Sequence, residues 1–390
     1  MINYNMLLNK NIINMKPSGI RRFFDIANEM ENVISLSIGE PDFKTPWHIR
    51  KVGIESLEKG NISYTPNKGL AQLRTEICAY FKRRFTVEYS DSTQTLVTVG
   101  GSEAIDLAFR VMLQAGDEVL IPQPSFVCYE PLAAITGATP VIIETKMEND
   151  FKLTPEELES HITPNSKLLV LPYPNNPTGG IMRRGDLEAI AKIVKKHNLF
   201  VVSDEIYAEL TYGKERHVCF AEIDGMKERT VVVSGFSKSF SMTGWRLGYA
   251  LGPQPIIDAM TKLHQYAIMS APTTAQYAAI EALKNGMPDI EQMSNEYNMR
   301  RRFLLGKFKQ MNLPCFEPNG AFYAFPCIKN TGLTSEEFCV KLLKSKHVAV
   351  VPGTAFGESG EGFVRVSYSF SIKHIDEAMK RIQQFLFELN

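Results

Sequence analysis

One lysine and one arginine eight positions apart stand in the run SGFSKSFSMTGWRLGY, Ser234–Tyr249. Lys238 follows TVVVSGF, a stretch rich in β-branched residues that reads as a buried strand breaking into a small-residue turn. An amine in partly apolar surroundings has its charged form disfavoured, and a neutral amine attacks an aldehyde to form an imine. That chemistry suits pyridoxal phosphate. Its phosphate needs a cation and hydroxyl or backbone donors, which Arg246, Ser234 and Ser237 are close enough in sequence to supply. Taken by itself, Lys238 reads equally well as a surface lysine in a loop.

Four further segments each carry a group that this chemistry requires. LFVVSDEIY, Leu199–Tyr207, reads as a buried strand ending in Asp204. A carboxylate at the C-terminal end of such a strand can pair with a protonated ring nitrogen, and Tyr207 can donate to the ring oxygen. A helix N-cap is the other role open to Asp204. In YPNNPTGG, Tyr173–Gly180, Asn-Pro and Thr-Gly-Gly mark a sharp loop at a strand end. Asn176 would put a neutral donor beside the ring oxygen, or serve only the turn. TLVTVGGSEAIDLAF, Thr95–Phe109, reads as strand, glycine turn and helix. Gly100, Gly101, Ser102 and Glu103 would let helix N–H groups approach a phosphate, although the pattern is neither GxGxxG nor GxxxxGK[ST]. EGFVRVSYS, Glu361–Ser369, alternates as a half-buried strand with Arg365 inside it. A guanidinium there is costly unless paired, and either the α-carboxylate of an amino acid or a structural salt bridge would suit its fork.

These residues must be positioned by a scaffold of some size. The chain has 390 residues, more than the roughly 250–300 at which single cores stop growing, which argues for two lobes. Apolar strand-like runs alternate with helical patterns from about residue 60 to 285, as in a mostly parallel sheet sandwiched by helices. The stretch DLEAIAKIVKKHN, Asp186–Asn198, is one covering helix with its charges outward. We divide the chain into an N-terminal segment 1–45 that joins a small domain, a large domain 46–287, and a smaller α+β domain 288–390. Lys plus Arg equals Asp plus Glu at 43 each, so no field favours nucleic acid or an anionic membrane surface. No apolar run approaches the roughly 20 residues needed to cross a bilayer, and MINYNMLLNKNIINM lacks the apolar core of a secretory signal. The six cysteines form no CxxC pair and read as reduced core thiols of a cytoplasmic protein, with no metal site expected.

Together the motifs resemble the fold-type I, pyridoxal-phosphate-dependent aminotransferases of class I, from about Ser18 to the C-terminus. Further matching stretches are SLSIGEPDFKTP, SYTPNKGL, QPSFVCYEP, LHQYAIMSAP, GAFYAFP and VAVVPGTAFG. The resemblance implies that Lys238 holds the cofactor and shuttles the substrate proton, with Asp204 on the ring nitrogen and Asn176 and Tyr207 on the ring oxygen. Arg246 and the Gly101, Ser102, Glu103 turn would hold the phosphate, with Ser237. Tyr64 is similar to a tyrosine that reaches the phosphate in a neighbouring subunit, which implies a homodimer with shared active sites. Phe126 sits where an aromatic ring stacks on the cofactor, Gly39 where backbone meets the substrate carboxylate, and Arg365 where a guanidinium binds it. Two departures stand out. Position 235 is Gly where many relatives have a phosphate-binding Ser, so Ser237 or Ser234 would substitute, and Phe126 replaces a Trp or another hydrogen-bonding aromatic.

The implied activity is transfer of an amino group from an L-amino acid to a 2-oxo acid by a ping-pong route. Within the class the likeness favours microbial aromatic amino acid aminotransferases, with aspartate-using and N-acetyl-diaminopimelate-using relatives nearly as similar. A dicarboxylic substrate needs a second cation. No residue plainly supplies it, and Arg110 on the helix after the phosphate turn has a surface role open to it. The expectation is therefore an aromatic donor with 2-oxoglutarate as acceptor. A C–S β-lyase and a non-catalytic ligand sensor are the alternatives on the same scaffold.

Overall fold

The computed structural model describes residues 30–213 and 216–389, with 2, 4, 7–13, 15, 17 and 19 before them. Much of the expected N-terminal segment before Met30, including Ser18, lies outside the described residues. In chain order the strands are β1 (Ile34–Ser35), β2 (Thr95–Thr98), β3 (Glu118–Gln123), β4 (Thr139–Glu144), β5 (Ser166–Leu171), β6 (Phe200–Asp204), β7 (Thr230–Gly235) and β8 (Gly248–Leu251). The last four are β9 (Tyr323–Ala324), β10 (Val348–Ala349), β11 (Val351–Pro352) and β12 (Val364–Ser367).

β2 to β8 form one seven-stranded sheet in the order β2-β8-β7-β6-β5-β3-β4. Only β8 runs against its neighbours, β2 and β7; the other pairs are parallel. The mostly parallel α/β sheet is thus as expected, and its side chains explain why both faces are covered. On β7, Val231 and Val233 enter a cluster with Ile105, Leu107 and Phe109 of the helix Gly100–Met112, while Val232 enters another with Leu73, Ile77 and Phe81 of the helix Ala71–Phe85. The same division separates Leu168 and Val170 from Leu169 and Leu171 on β5. Successive strand residues point to opposite faces, so continuous apolar runs require helices on both sides, and each fully buried Val or Leu contributes about 1.5–3 kcal/mol. The helix expected over 186–198 spans Arg184–Lys196 and covers one of these faces with Leu187, Ile190 and Val194.

The C-terminal part adds an antiparallel sheet, β11-β12-β9, and a parallel pair of β1 with β10. A core of Phe322, Val364, Val366, Ile375 and Met379 joins it to Tyr207 and Leu210, which follow β6. One expectation is corrected here: β12 is buried at all four positions, not on one face alone, because the core of Phe322 and Ile375 covers one side and Arg365 is buried beside Tyr323 and Phe356 on the other.

Candidate active site

The parallel strands bring their C-terminal ends to one edge of the sheet, where ligands of open α/β folds bind. There β5 leads to Asn176, β6 ends at Asp204, and β7 runs into Ser237 and Lys238. β3 leads to Phe126, and β2 leads through Val99 to the helix start at Gly100. Because β8 is reversed, its beginning faces the same edge and places Arg246 there. These groups surround a cavity of about 830 Å³ lined by Gly39, Gly101, Ser102, Phe126, Asn176, Asp204, Tyr207, Ser237, Lys238, Arg246 and Arg365. Residues 39 and 365, more than 320 positions apart, come from the C-terminal layer side and close the cavity against the sheet edge.

Lys238 is half-buried, and its Nζ donates to the Gly39 carbonyl at 2.6 Å. Burial is the main reason its pKa falls from 10.5 to about 8; Glu40 opposes this, and the guanidinium groups of Arg365 and Arg246 add to it. Roughly a tenth of such an amine is neutral at pH 7, against about one part in 2,500 for an ordinary lysine. Asp204 is buried and aimed into the cavity. Tyr129 donates its phenol to Oδ2 at 2.7 Å, and the Ile206 N–H reaches Oδ1 at 3.2 Å. Burial raises the Asp204 pKa despite both hydrogen bonds, the state expected of a carboxylate waiting for a cationic partner.

Arg365 is 2% exposed, and its Cζ lies over two rings, 4.5 Å from the Tyr323 centroid and 4.9 Å from that of Phe356. Nη1 donates to Asn176 Oδ1 at 3.0 Å and Nη2 to the Ser37 carbonyl, while the buried Nε has no partner. Among the described residues no carboxylate pairs with it, so the structural salt bridge open at the sequence level is not there. A buried guanidinium with only neutral partners and an unpaired Nε has the donors that suit an anion. Tyr207 shares its hydroxyl with Tyr323 at 2.8 Å, and burial, then Tyr323, holds its pKa far above the usual value, so it keeps its proton to donate.

Two expected residues, Glu103 and Ser234, are placed differently. Glu103 does not line the cavity: its carboxylate accepts the Val99 N–H and bonds His264 Nδ1 at 2.6 Å. Tyr64 is 82% exposed and outside the cavity of its own chain. Of the two serines weighed for the phosphate, Ser237 lines the cavity, whereas Ser234 donates to the Glu205 carbonyl at 3.4 Å. A Cβ at position 235 would lie 2.9 Å from Gly248 Cα and 3.0 Å from the Leu247 carbonyl, which accounts for glycine there. Arg110 pairs with Asp106 one helical turn away at 2.9 Å and takes no part in the site. Sequence reasoning gave no role to Tyr129, Tyr323 or Ser37. The first two stand inside the quoted motifs QPSFVCYEP and GAFYAFP, and an aromatic in each was the available signal.

The donor set fits pyridoxal phosphate. Asp204 and Lys238 face one space that Arg246, Ser102, Ser237 and the helix start at Gly100–Gly101 also border, and Arg365 would offer its donors to a carboxylate. Among the described residues no group of His, Cys, Asp and Glu could hold a metal ion.

Comparison with known proteins gives the same direction. Residues 31–382 match the family described as aminotransferase class I and II. The chain is 50% identical over 372 residues to the putative aminotransferase YugH of Bacillus subtilis, covering 95% of this chain and 96% of that protein. It is 44% identical to an aspartate aminotransferase of Pyrococcus abyssi, over 96% and 97% of the two chains. Among solved structures it superposes on an aromatic aminotransferase from Pyrococcus horikoshii with a TM-score of 0.90 and 43% identity, covering 94% and 99%. Similarity of this extent, over the elements that build the cavity, places the chain in the class I and II aminotransferase family, and the protein is a transaminase.

Proposed function

We propose that this transaminase uses pyridoxal 5'-phosphate held at Lys238 and moves the amino group of an aromatic L-amino acid to a 2-oxo acid by a ping-pong route. The observation that carries the donor assignment is the set of cations that the described residues bring to the cavity: Lys238, Arg246 and Arg365, each with a place in binding cofactor or α-carboxylate and none among them left over for a second carboxylate on the donor side chain. The related proteins are named for aspartate in one case and aromatic substrates in the other. The lining favours the second.

When bound, the cofactor supplies a conjugated ring that withdraws electrons from the substrate's Cα. The protein's part is positioning and proton transfer. Arg246, Ser102 and Ser237 would hold the phosphate end, Phe126 would cover the ring, Asp204 would meet the ring nitrogen, and Asn176 and Tyr207 would serve the ring oxygen; all of them border the cavity. Arg365, with backbone at Gly39, fixes the substrate carboxylate and so orients the Cα–H bond toward Lys238. Lys238 Nζ, neutral in part at pH 7, accepts that proton and later returns it. We also assign a cytoplasmic homodimer. Six unpaired cysteines support the compartment, and a solvent-facing Tyr64 outside its own cavity supports a site shared with a second copy.

The test mixes cofactor-loaded enzyme with one amino acid at a time and no 2-oxo acid. Stoichiometric phenylpyruvate or its hydroxyl analogue from Phe or Tyr, with far less oxaloacetate from Asp, is expected. Oxaloacetate formed faster than phenylpyruvate would overturn the donor assignment, and ammonia with pyruvate from a cysteine conjugate would indicate a lyase.

A further inference from the structure

The carboxylate of Glu103 is turned away from the cavity, yet both its oxygens are engaged immediately behind the phosphate end. Oε2 accepts the Val99 N–H, and Oε1 lies 2.6 Å from Nδ1 of His264. His264 sits in the last turn of the helix Gln254–Ala267 with no solvent exposure, and its Nε2 is buried without a partner. The bond to a carboxylate requires the hydrogen on Nδ1, which fixes the orientation of the ring. With one oxygen on the backbone and one on the imidazole, the carboxylate is locked.

Val99 is the residue on which the turn depends. It precedes Gly100, whose φ of +78° swings the chain so that Gly101 and Ser102 line the cavity. The turn is confined on its other sides: a Cβ at Gly100 would lie 2.8 Å from Arg246 Nη2, and one at Gly248 only 2.5 Å from Gly100 C and Gly101 N. A pull on the Val99 N–H therefore sets where the Gly101 and Ser102 N–H groups aim and where Arg246 rests.

We propose that Glu103 and His264 form a positioning pair for the phosphate cradle, acting through the Val99–Ser102 turn without touching the ligand; this rests on the pyridoxal phosphate reading above. The pair affects only the phosphate end, so its loss separates ligands with and without that group. The experiment compares the Kd of apoprotein for pyridoxal phosphate and for pyridoxal. Glu103→Ala and His264→Leu are expected to weaken pyridoxal phosphate about tenfold, the effect of one lost hydrogen bond, and to leave pyridoxal within about twofold. Glu103→Gln and His264→Asn, which keep an acceptor or the Nδ1-like donor, restore the difference. Glu103→Asp, one methylene too short to span both partners, carries the test should the larger deletions not fold. Equal losses on both ligands, or none on either, would overturn the positioning role. A wild-type protein that binds the two ligands alike would instead remove the cofactor reading, and this inference with it.

Discussion

Replacing Arg365 by Lys keeps a positive charge but removes the fork, and the surroundings give the expected cost. In the native site Nη1 and Nη2 are anchored on Asn176 Oδ1 and the Ser37 carbonyl, and the guanidinium carbon lies over the rings of Tyr323 and Phe356, 4.5 and 4.9 Å from their centroids. A flat cation held this way can offer two parallel N–H bonds to a carboxylate. An ammonium offers one, without the stacking. One charge-assisted hydrogen bond contributes about 1.5–3 kcal/mol. At 1.36 kcal/mol per factor of ten, the substitution should lower the second-order rate constant of the amino-acid half-reaction by roughly 10- to 150-fold. The assay is single-turnover absorbance of cofactor-loaded enzyme with an amino acid, alongside the amine that lacks its carboxylate, phenethylamine beside phenylalanine. The loss should be confined to the carboxylate-bearing partner of each pair. Equal losses for both, or a phenylalanine constant within about threefold of wild type, would refute the assignment of Arg365 as the carboxylate receptor.

Three further outcomes follow from the geometry. In apoprotein the Lys238 amine should titrate near 8 by NMR of the methylated side chain, with Arg365→Leu raising the value because a neighbouring positive charge is gone; a midpoint above about 10 would contradict the buried placement. His48 is held between Glu281 at 2.7 Å and Asp289 at 2.9 Å; burial opposes its charge, but these bonds and carboxylates outweigh it and raise its pKa. The folded state thus binds the proton more tightly than the unfolded chain, so the stabilisation is complete below about 6.5 and fades as pH rises through the folded value. His48→Gln should flatten the urea midpoint across that window, and an unaltered pH slope would speak against the clamp. Gly235→Ser, which inserts atoms where Gly248 Cα lies 2.9 Å from the new Cβ, should cost about 1–3 kcal/mol in urea unfolding; an unchanged midpoint would show that the strand crossing has room.

What could be read from the chain, and what could not, divides by distance along it. β6 ending at Asp204 and β7 ending before Lys238 are visible because burial on two faces writes itself as an unbroken apolar run followed by a polar residue. The Gly100 turn is legible for the same local reason. Tyr129 on Asp204 and Tyr323 on Tyr207 span 75 and 116 positions, and nothing local to either tyrosine announces its partner. Glu103 shows the converse failure. A polar residue at a helix start looks like a ligand contact from sequence, yet here the backbone N–H of Val99 and a buried imidazole compete for it and win. The full burial of β12 was missed because alternation reports side-chain type, and a buried arginine looks like one facing solvent.

The reversal of β8 has an effect on how the parts of the site are joined. A parallel neighbour to β7 would have required the chain to cross back along the sheet, usually through a helix. The antiparallel one lets residues 236–247 join the two strands directly, so Lys238 and Arg246 belong to a single hairpin connection. Both ends of the proposed cofactor grip are therefore set by local chain geometry, whereas Arg365 arrives on a different sheet. Amine and phosphate-end arginine are thus tied by the continuous chain of residues 236–247, whereas the layer around β9 and β12 reaches the same site only through side-chain contacts, Arg365 on Asn176 and Tyr323 on Tyr207.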